Sequence, residues 1–561
     1  MAETTTFRNP IIPGFAPDPS VVFVDGVFYL ATSSFHVFPG IPIYASTDLQ
    51  EWKHIGLCPS QYLRMSSRAV ANKEFKGNAI NRKEQLSLER AETAVMPLDT
   101  GNIMVSSAGL FAPSTRHHEG MFYIICTNAT RRDEEFCLEN FYVSTADIWA
   151  GEWSDPIYFP FHGIDPSLFF DDDGRAYVQG CWMIDRLKQP SCTIKQFEID
   201  IKTGEALSEV KEIWGGFARY DTEGPHFYKR GEWYYLLVAE GGTFEHHMLS
   251  IGRSKSIWGP FESWEGNPIM TADRKAEYVQ NVGHGELFQD GEGKWWAAVL
   301  GVRDEDGAPP LGRETFLTAV EWPEGGWPSV QQPRMEFQRQ VKESIGARKD
   351  LPPSPRDVDL VYIRDPDFEK YDFSGEGDER AFQLRASISS ITSPSGTATF
   401  VGKRQRAMDA SASVMLDLSA TKSVDPLVAG LALYKDALRH VSLAYDFSSS
   451  RLVFDVTTTS EDKKQNVFLA ISSEAASLSF RVETSATEYK FFYQEDGDKD
   501  WKQAASARVA DLVAREMTGP IFGLFAHALG AEGVGKEARF DKLIVEGQKS
   551  LVCEAKPEGQ E

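Results

Sequence analysis

Residues 14–30, GFAPDPSVVFVDGVFYL, place an aspartate between two prolines, directly before an apolar strand, a glycine turn and a second, aromatic-rich strand. A strand, an Asp-Gly turn and a strand are the pattern of a β-hairpin. Proline fixes its own φ and biases the preceding residue toward extended geometry, so we expect Asp18 to be held in an extended conformation at the strand entrance. Asp and Pro are also ordinary turn residues, and a single stretch of this kind is usually only a loop.

Four further segments repeat this build, each with an apolar strand, a glycine turn and a second strand. They are 113–126 (PSTRHHEGMFYIIC), 165–180 (DPSLFFDDDGRAYVQG), 223–238 (EGPHFYKRGEWYYLLV) and 284–300 (HGELFQDGEGKWWAAVL). The residues that lead the five segments lie 52 to 95 positions apart and are Asp18, Pro113, Asp165, Glu223 and His284. This spacing is close to the length of a four-stranded blade. We therefore predict an all-β chain that begins with a five-bladed β-propeller over residues 1–330, with an insertion at 82–104.

The character of the sequence changes after residue 330. Residues 331–364 are rich in proline and charge, which is typical of a linker. Beyond them, alternating segments such as HVSLAYDFSSSRLVFDVTT (440–458) and ARFDKLIVEG (538–547) indicate strands at the spacing of a sandwich. We predict a C-terminal β-sandwich domain over residues 365–561.

The composition of the chain argues against nucleic acid and membranes as partners. The 561-residue chain has a formal net charge of −24, which argues against nucleic acid as a partner. No apolar run approaches the roughly 18 residues that a membrane span needs, so no membrane partner is expected. Six cysteines without metal-site spacing leave disulfides open, and the sequence does not indicate an oligomeric state.

Localisation has two alternatives. The N-terminus MAETTTFRNP has no signal-peptide pattern, so the chain is either intracellular or a mature form with an added methionine. Asn128-Ala129-Thr130 matches the N-glycosylation acceptor pattern, and on this ground we favour an extracellular location.

The lead residues also predict a site. The innermost strand of each propeller blade begins near the central axis, so these side chains are expected to converge on one pocket, and three of the five are carboxylates. Burying like charges together costs free energy unless they share protons or bind something. Two carboxyl groups across a pocket are the usual equipment for cleaving a glycosidic bond, and a third can keep the acid's pKa raised. Two alternatives remain open: each carboxylate caps its own turn, or the propeller binds carbohydrate without catalysis.

Several motifs resemble glycoside hydrolase family 43, in particular its two-domain branch of β-xylosidases and α-L-arabinofuranosidases. In the propeller they are NPIIPGFAPDPS (9–20), GLFAPSTRHHEGMFYI (109–124), HGIDPSLFFDDDGRAYV (162–178), TEGPHFYKRGEWYYLLVAEGGT (222–243), NVGHGELF (281–288) and LGRETFL (311–317). In the C-terminal domain FVGKRQ (400–405) and ARFDKLIVEG (538–547) are similar to that branch. The resemblance implies an inverting exo-glycosidase that removes terminal pentose residues.

The same resemblance implies the role of each site residue. Asp18 matches the general base that deprotonates water, Asp165 the residue that orients the acid and modulates its pKa, and Glu223 the general acid. Inversion then requires the Asp18 and Glu223 carboxyl groups to stand roughly 6.5–9.5 Å apart. The expected substrate-binding residues are Arg313, which hydrogen-bonds the sugar, His284 on the propeller axis, and Phe35, Phe111 and Ile164 as pocket walls. No cofactor is required, and a structural cation near His284 is an open alternative.

The wall residues depart from the bacterial β-xylosidases that the chain resembles. Those enzymes have Trp at the position of Phe111 and an aromatic residue at Ile164, and a sandwich-loop Phe closes their pocket, for which Ile521 or Phe522 is the expected counterpart. The insertion before Phe111 is similar to fungal arabinoxylan arabinofuranohydrolases. Arabinoxylan is therefore the first candidate substrate, cleaved by an α-L-arabinofuranosidase, with a β-D-xylosidase on xylo-oligosaccharides as the alternative.

Overall fold

The computed structural model describes residues 3–56, 75–97, 103–132, 135–185, 188–341, 345–346, 350–355, 357–375, 379–419, 425–472 and 474–553. Cys58 and residues 98–102 of the predicted insertion lie outside these ranges.

The N-terminal domain is the predicted five-bladed β-propeller. Before the second blade the chain forms β1 (Glu3–Arg8), β2 (Ser20–Val24), β3 (Val27–Ala31), β4 (Val37–Phe38), β5 (Gly40–Ser46), β6 (Lys53–His54), β7 (Asn78–Ile80), β8 (Thr93–Pro97) and β9 (Ile103–Ser107). Blade 1 has the strand order β2-β3-β5-β6, with β7 added to β5. Strands β8 and β9 pair as a separate hairpin that begins in the predicted insertion and ends just after it.

The other four blades are consecutive antiparallel sheets. Blade 2 contains β10 (Gly109–His118), β11 (Met121–Arg132), β12 (Glu135–Thr145) and β13 (Ile157–Phe159), and blade 3 contains β14 (Gly163–Phe170), β15 (Ala176–Met183), β16 (Cys192–Ile199) and β17 (Lys211–Trp214). Blade 4 contains β18 (Glu223–Arg230), β19 (Trp233–Glu240), β20 (Met248–Ser254), β21 (Glu262–Ser263) and β22 (Met270–Thr271). Blade 5 contains β23 (Val279–Gln289), β24 (Trp295–Arg303), β25 (Glu314–Glu321) and β26 (Ser329–Val330), and β27 (Glu336–Val341) follows it.

Contacts between the first and last blades close the ring. The Glu286 carboxylate of β23 accepts hydrogen bonds from Ser20 Oγ at 2.5 Å and from the Val21 N–H at 3.1 Å, both on β2. The side chain of Asn9 donates to the Leu317 carbonyl and accepts from the Leu317 N–H, each at 2.8 Å. Blade 5, the last in the sequence, is thereby joined to blade 1 and to the N-terminal segment.

The C-terminal domain is a sandwich of two antiparallel sheets, as predicted. Its strands are β28 (Leu360–Ile363), β29 (Tyr371–Ser374), β30 (Ala381–Arg385), β31 (Thr399–Arg404), β32 (Ala410–Asp417), β33 (Leu427–Asp436), β34 (Arg439–Asp446), β35 (Arg451–Thr457), β36 (Gln465–Ala470), β37 (Ser477–Thr484), β38 (Glu488–Glu495), β39 (Lys502–Arg508), β40 (Ile521–Ala528) and β41 (Glu537–Glu546). The sheet orders are β36-β35-β34-β33-β40-β31-β28-β4 and β29-β30-β41-β32-β37-β38-β39. The helical elements described are α1 (Val509–Leu512) and 3₁₀ turns at Phe368–Lys370, Glu461–Lys463 and Ala531–Gly533.

The segment 331–364, predicted to be a linker, contains two strands. Strand β27 pairs with β1 of the propeller, and β28 joins the first sandwich sheet, where its outer neighbour is β4 of the propeller. One hydrophobic core runs through both domains, and the Phe75 ring centroid lies 5.7 Å from that of Tyr362. The two domains are therefore joined by both a shared sheet and a shared core.

The structure also bears on three further expectations, which concern membrane spans, disulfides and glycosylation. Over the described ranges no helix combines the length and the apolar character that crossing a bilayer requires. Cys126, Cys137, Cys181, Cys192 and Cys553 are free thiols. Asn128, the predicted glycosylation acceptor, is 1% exposed in β11, and its amide donates to the Ser87 carbonyl at 3.3 Å. That burial removes the observation on which an extracellular location was favoured.

Candidate active site

The eight residues predicted to be catalytic or to bind substrate line one pocket at the axial end of the propeller. The pocket has a volume of about 290 Å³. The residues are Asp18, Phe35, Phe111, Ile164, Asp165, Glu223, His284 and Arg313. A concave pocket with a few convergent polar groups is the usual form of a ligand site.

The blade entrances share an unusual backbone conformation. Asp18, Ala112, Asp165, Gly224 and His284 have φ values of 56°, 38°, 53°, 55° and 25°. Asp18 is therefore in the left-handed region and not extended as expected, although a proline follows it. Such strain concentrates at functional sites, where the surrounding structure maintains it.

This shared conformation corrects the alignment of the five blades. In blade 2 the equivalent residue is Ala112, one position before the predicted Pro113, and in blade 4 it is Gly224, one position after Glu223. The register of β18 with β19 shifts between Glu223 and His226. Glu223 thus enters the pocket from the position before the shared turn, whereas Asp18 and Asp165 enter from the turn itself.

Asp18 is a buried carboxylate with several donors around it. Ser33 Oγ donates to Oδ2 at 2.6 Å, Arg313 Nη1 donates to Oδ1 at 3.4 Å, and His284 Nδ1 lies 3.8 Å from Oδ1. Burial raises the pKa of Asp18, but the charges of Arg313 and His284 and the Ser33 hydrogen bond outweigh it, so the pKa lies below its usual value. The Asp18 carboxyl is therefore ionised near neutral pH.

The pKa values of Asp165 and Glu223 are shifted in the opposite direction, upward. Burial and the neighbouring Asp18 raise the pKa of Asp165, against the lowering effects of His284 and of the Gly224 N–H, which donates to Oδ2 at 3.2 Å. Burial, and after it the Asp165 charge, raise the pKa of Glu223 well above its usual value. Asp18 is therefore the carboxyl group of the pocket that most readily ionises, and Glu223 is the one that retains its proton.

Arg313 is held by both domains. Its Nη1 donates to Thr243 Oγ1 at 3.0 Å, and its Nε and Nη2 donate to the Met517 carbonyl of the sandwich at 3.3 and 3.0 Å. The guanidinium carbon lies 5.3 Å from the centre of the Phe35 ring.

The closing residue from the sandwich differs from the expected one. Ile521 and Phe522 are 1% and 0% exposed within β40 and do not line the pocket. Arg515 and Met517 line it instead. The predicted counterpart was wrong because the chain reaches the pocket in the loop before β40, and the strand itself faces the sandwich core.

Further walls come from blade 2, blade 3 and the β8–β9 hairpin. The Phe111 and Phe35 ring centroids are 5.0 Å apart, and Ile164 lies beside Asp165. Pro97, Met104 and Ser106 of the hairpin also line the pocket. The hairpin is fixed on the sandwich, because the Val105 N–H donates to the Arg515 carbonyl at 2.7 Å.

Both family profiles that match the chain describe parts of one kind of enzyme. Glycosyl hydrolases family 43 matches residues 7–328, and the beta xylosidase C-terminal concanavalin A-like domain matches residues 357–546. The chain belongs to glycosyl hydrolases family 43. It is therefore a glycoside hydrolase.

Relatives of this family 43 chain carry two kinds of activity in their names. A non-reducing end alpha-L-arabinofuranosidase from Bacteroides ovatus is 30% identical over 544 residues, covering 94% of this chain and 92% of the relative. A xylosidase/arabinosidase from Butyrivibrio fibrisolvens is 33% identical over 479 residues, covering 80% and 81%. The crystal structure of a xylan beta-1,4-xylosidase from Bacillus halodurans superposes with a TM-score of 0.80 at 28% identity, covering 96% of this chain and all of that one.

A cation site near His284 was an open alternative in this family 43 chain. One possible ligand atom each from Asp165, Glu223 and His284 lie within 4.8 Å of one another, which is close enough to surround an ion. Burial and the Asp165 charge favour a proton on Glu223 when no ion is bound, and a bound cation would lower the same pKa. A proton and a cation therefore compete for Glu223, and the cation stays an open alternative.

Sequence reasoning missed a buried polar network beneath the family 43 pocket. Arg116 of blade 2 donates from Nη1 to Glu286 Oε1 at 2.6 Å and from Nε to the Leu168 carbonyl at 2.9 Å, and its Nη2 lies 3.0 Å from His226 Nδ1. These contacts connect blades 2, 3, 4 and 5 near the axis. A signal was present, since Arg116, His226 and Glu286 each follow a lead residue by two or three positions.

Proposed function

We propose that this family 43 hydrolase is an inverting exo-glycosidase that removes terminal pentose residues from arabinoxylan, and specifically an α-L-arabinofuranosidase. The observation that carries the proposal is the division of protonation states in one pocket. Asp18 has a lowered pKa and Glu223 a strongly raised one. Opposite pKa shifts on two carboxyl groups assign one as base and the other as acid.

The proposed reaction is a single displacement. The Asp18 carboxylate takes a proton from a water molecule, whose oxygen attacks the anomeric carbon on the face opposite to the leaving group. The bond from the anomeric carbon to the glycosidic oxygen breaks, and that oxygen takes the Glu223 proton, so the anomeric configuration inverts. Asp165 keeps Glu223 protonated until the bond breaks, because its charge disfavours a second carboxylate nearby.

An exo mode of action is supported by a wall that both domains build along one side of the pocket. The β8–β9 hairpin meets the 515–517 loop of the sandwich, because the Val105 N–H donates to the Arg515 carbonyl. The Arg515 guanidinium forms an ion pair with Glu245, with Nη2 2.5 Å from Oε1, and both residues line the pocket. Such a wall limits the space for a polysaccharide chain that continues past the terminal sugar.

Arabinose is the first choice of sugar, and xylose is the second. The full-length relative from Bacteroides ovatus is named for arabinofuranosidase activity. The β-D-xylosidase alternative is supported by the similar structure from Bacillus halodurans, which is named for xylosidase activity. Phe111 and Ile164 are the wall residues that distinguish this chain from the bacterial β-xylosidases it resembles.

The experiment compares three substrates: an aryl α-L-arabinofuranoside, an aryl β-D-xyloside and wheat arabinoxylan. The released sugar and its initial anomer are identified by proton NMR. Release of arabinose from the polymer with inverted configuration is expected. Release of xylose from short chain ends supports the alternative, and retention of configuration overturns the roles of Asp18 and Glu223.

Replacing Glu223 by Gln separates catalysis from binding. The amide keeps the shape of the side chain but cannot donate the catalytic proton. General acid catalysis contributes about 10²–10⁴-fold, so turnover of arabinoxylan should fall by that factor while affinity for an oligosaccharide is kept. Unchanged turnover excludes Glu223 as the acid.

A further inference from the structure

Three sulfur-containing side chains line the pocket on one face of blade 3. Cys181 and Met183 alternate along β15, and Cys192 begins β16 directly opposite Met183 in the antiparallel register. Residues two apart on a strand, and residues opposite each other on paired strands, share a face of the sheet. Trp182 lies on the other face, where its ring centroid is 5.4 Å from that of Phe161.

The two cysteines are free thiols that are almost wholly buried. Cys181 is 1% exposed and Cys192 is 4% exposed. They are diagonal neighbours in the sheet, and Cα atoms on such a diagonal are about 7–8 Å apart, whereas a disulfide spans about 4.4–6.8 Å. A metal ion bridges a wider pair than a disulfide does, because each metal–sulfur bond adds about 2.3 Å of reach.

This pair of thiols adjoins the proposed acid. The Cys192 thiol donates to the Thr222 carbonyl at 3.1 Å, and Thr222 immediately precedes Glu223. A hydrogen bond with the Cys192 thiol, and after it burial, raises the pKa of Cys181 well above its usual value. The two sulfur atoms are therefore in contact, and an ion bound to one of them is within reach of the other.

The donor set indicates the kind of ion. Thiolate and thioether sulfur are soft ligands, which in proteins select ions such as copper(I) over hard cations such as Mg²⁺ and Ca²⁺. Zinc in protein sites is bound by Cys, His and carboxylate ligands, and the thioether of Met183 is not one of these. Two thiols and one thioether therefore fit a soft monovalent cation.

We propose that Cys181, Met183 and Cys192 form a binding site for a soft monovalent cation of the copper(I) class, and that the bound ion inhibits the hydrolase. The two thiols release their protons to solvent as they bind the ion, which stays monovalent, so no oxidant or reductant takes part. Cys192 thereby loses the proton that it donates to the Thr222 carbonyl, and the backbone that positions Glu223 is displaced. The inhibition rests on the proposed function, whereas the binding does not.

Copper(I) affinity measures the site directly. The full chain competes, without oxygen and with ascorbate present, against bicinchoninate, a chelator whose copper(I) complex is coloured. The wild type should take about one equivalent of Cu⁺ from the chelator. Even the loss of a residue that only supports a metal ligand costs about 10–100-fold in affinity, so Cys192→Ser should weaken binding by about 100-fold or more. Met183→Leu, which nearly conserves volume, should weaken it by about tenfold.

Two matched variants separate this site from other donors. Cys137→Ser removes a thiol of β12 that does not line the pocket and should leave the affinity unchanged. Glu223→Gln removes a carboxyl group of the neighbouring cluster with Asp165 and His284, and it should also leave the affinity unchanged. Equal losses in Cys137→Ser and Cys192→Ser, or a loss in Glu223→Gln, place the ion elsewhere and overturn the proposal. Zn²⁺ bound as tightly as Cu⁺ overturns the copper(I) class.

X-ray absorption at the copper edge needs no variant, so it decides the proposal even if Cys192→Ser does not fold. Sulfur neighbours at about 2.3 Å are expected, and a shell of nitrogen or oxygen neighbours overturns the site. General acid catalysis contributes about 10²–10⁴-fold, so the loaded wild type should hydrolyse an aryl pentoside about tenfold more slowly or worse until the chelator is added. Copper uptake with full activity overturns the inhibition. A wild type that binds Cu⁺ but hydrolyses no pentoside overturns the proposed function instead.

Discussion

The Arg313 guanidinium donates two hydrogen bonds to the Met517 backbone carbonyl, at 3.3 Å from Nε and 3.0 Å from Nη2. Arg313 belongs to the propeller and Met517 to the sandwich. Through Nη1 the same guanidinium reaches Asp18 at 3.4 Å. The sandwich domain therefore fixes the position of the Arg313 guanidinium beside Asp18, the proposed base. Both domains are needed to form the pocket.

Replacing Arg313 by Ala should move the acidic limb of the pH profile. Asp18 acts as a carboxylate, so activity is lost as the pH falls through its pKa, and the Arg313 charge lowers that pKa. Without this charge the pKa rises and the loss begins at a higher pH. A hydrogen bond to a charged group contributes about 1.5–3 kcal/mol, so kcat/KM at the optimum should fall roughly 10- to 100-fold.

Arg313→Lys is the control for this prediction, and kcat/KM is measured from pH 4 to pH 8. Lysine keeps the positive charge but not the planar fork that reaches both Met517 and Asp18. We expect a smaller shift of the acidic limb than in Arg313→Ala. An acidic limb that stays in place in Arg313→Ala contradicts the assignment of Asp18 as the base.

Asp165→Asn should move the basic limb in the opposite direction. Glu223 acts in its protonated form, so activity is lost as the pH rises through its pKa, which burial and the Asp165 charge raise. Removing that charge lowers the pKa, and the basic limb should shift by about one unit to lower pH. Asp221→Asn is the matched comparison, because Asp221 raises the same pKa to a smaller extent. A larger shift in Asp221→Asn than in Asp165→Asn would show that Asp165 does not tune the acid.

The propeller was predictable because its signals are local. The hairpin glycines at 26, 120, 174, 231 and 293 all have positive φ, as turns between adjacent strands require, and the carboxylates lie at the strand entrances. The boundary between the two domains was not predictable in this way, because it depends on strand pairs between residues far apart in the chain. Strands β27 and β28 lie in a proline-rich, charged segment, and their propeller partners β1 and β4 are more than 300 residues earlier in the chain.

The pocket also contains residues that a sequence motif reveals and residues that it does not. Asp18, Asp165 and Glu223 stand in short motifs whose chemistry a sequence displays. Met517 holds Arg313 through its backbone carbonyl, which any residue type supplies, and Glu240 holds loop 215–222 from the far end of a different strand. Contacts of a backbone atom or of a distant strand leave no pattern in the amino-acid sequence.

Glu516→Ala should strongly destabilise the sandwich. The Glu516 carboxylate receives Lys435 Nζ at 2.6 Å and is also paired with Arg439, and all three side chains are at most 3% exposed. Removing one partner of a buried ion pair leaves an uncompensated charge, which costs about 3–5 kcal/mol. The free energy of unfolding is measured by denaturant titration. Because residues 515 and 517 line the pocket, KM should rise as well.

Glu51→Ala is the control for the effect of burial. Glu51 pairs with Lys549 across the two domains, but the side chains are 56% and 55% exposed. Exposed ion pairs contribute about 0–1 kcal/mol, so this variant should unfold close to the wild type. Equal destabilisation by the two variants contradicts a special role for the buried cluster.

His36→Gln should reduce the loss of stability in acid. His36 is completely buried where the propeller meets the sandwich, with Nε2 3.3 Å from the Tyr434 hydroxyl. Burial, and after it the charges of Arg364 and Arg439, lower its pKa to about 4. The unfolded chain therefore binds a proton on this histidine below about pH 6.5 while the folded chain does not, so stability falls as the pH drops from that value toward 4.

This histidine alone should cost the wild type about 3 kcal/mol of stability at pH 4 relative to pH 7. Glutamine does not titrate, so in His36→Gln the free energy of unfolding should depend less steeply on pH between 6.5 and 4, even if the variant is less stable at pH 7. Denaturant titrations at half-unit pH intervals measure both slopes. Parallel curves for the two proteins would mean that His36 takes up its proton equally well in the folded chain, and that its contact with Tyr434 opens in acid without cost.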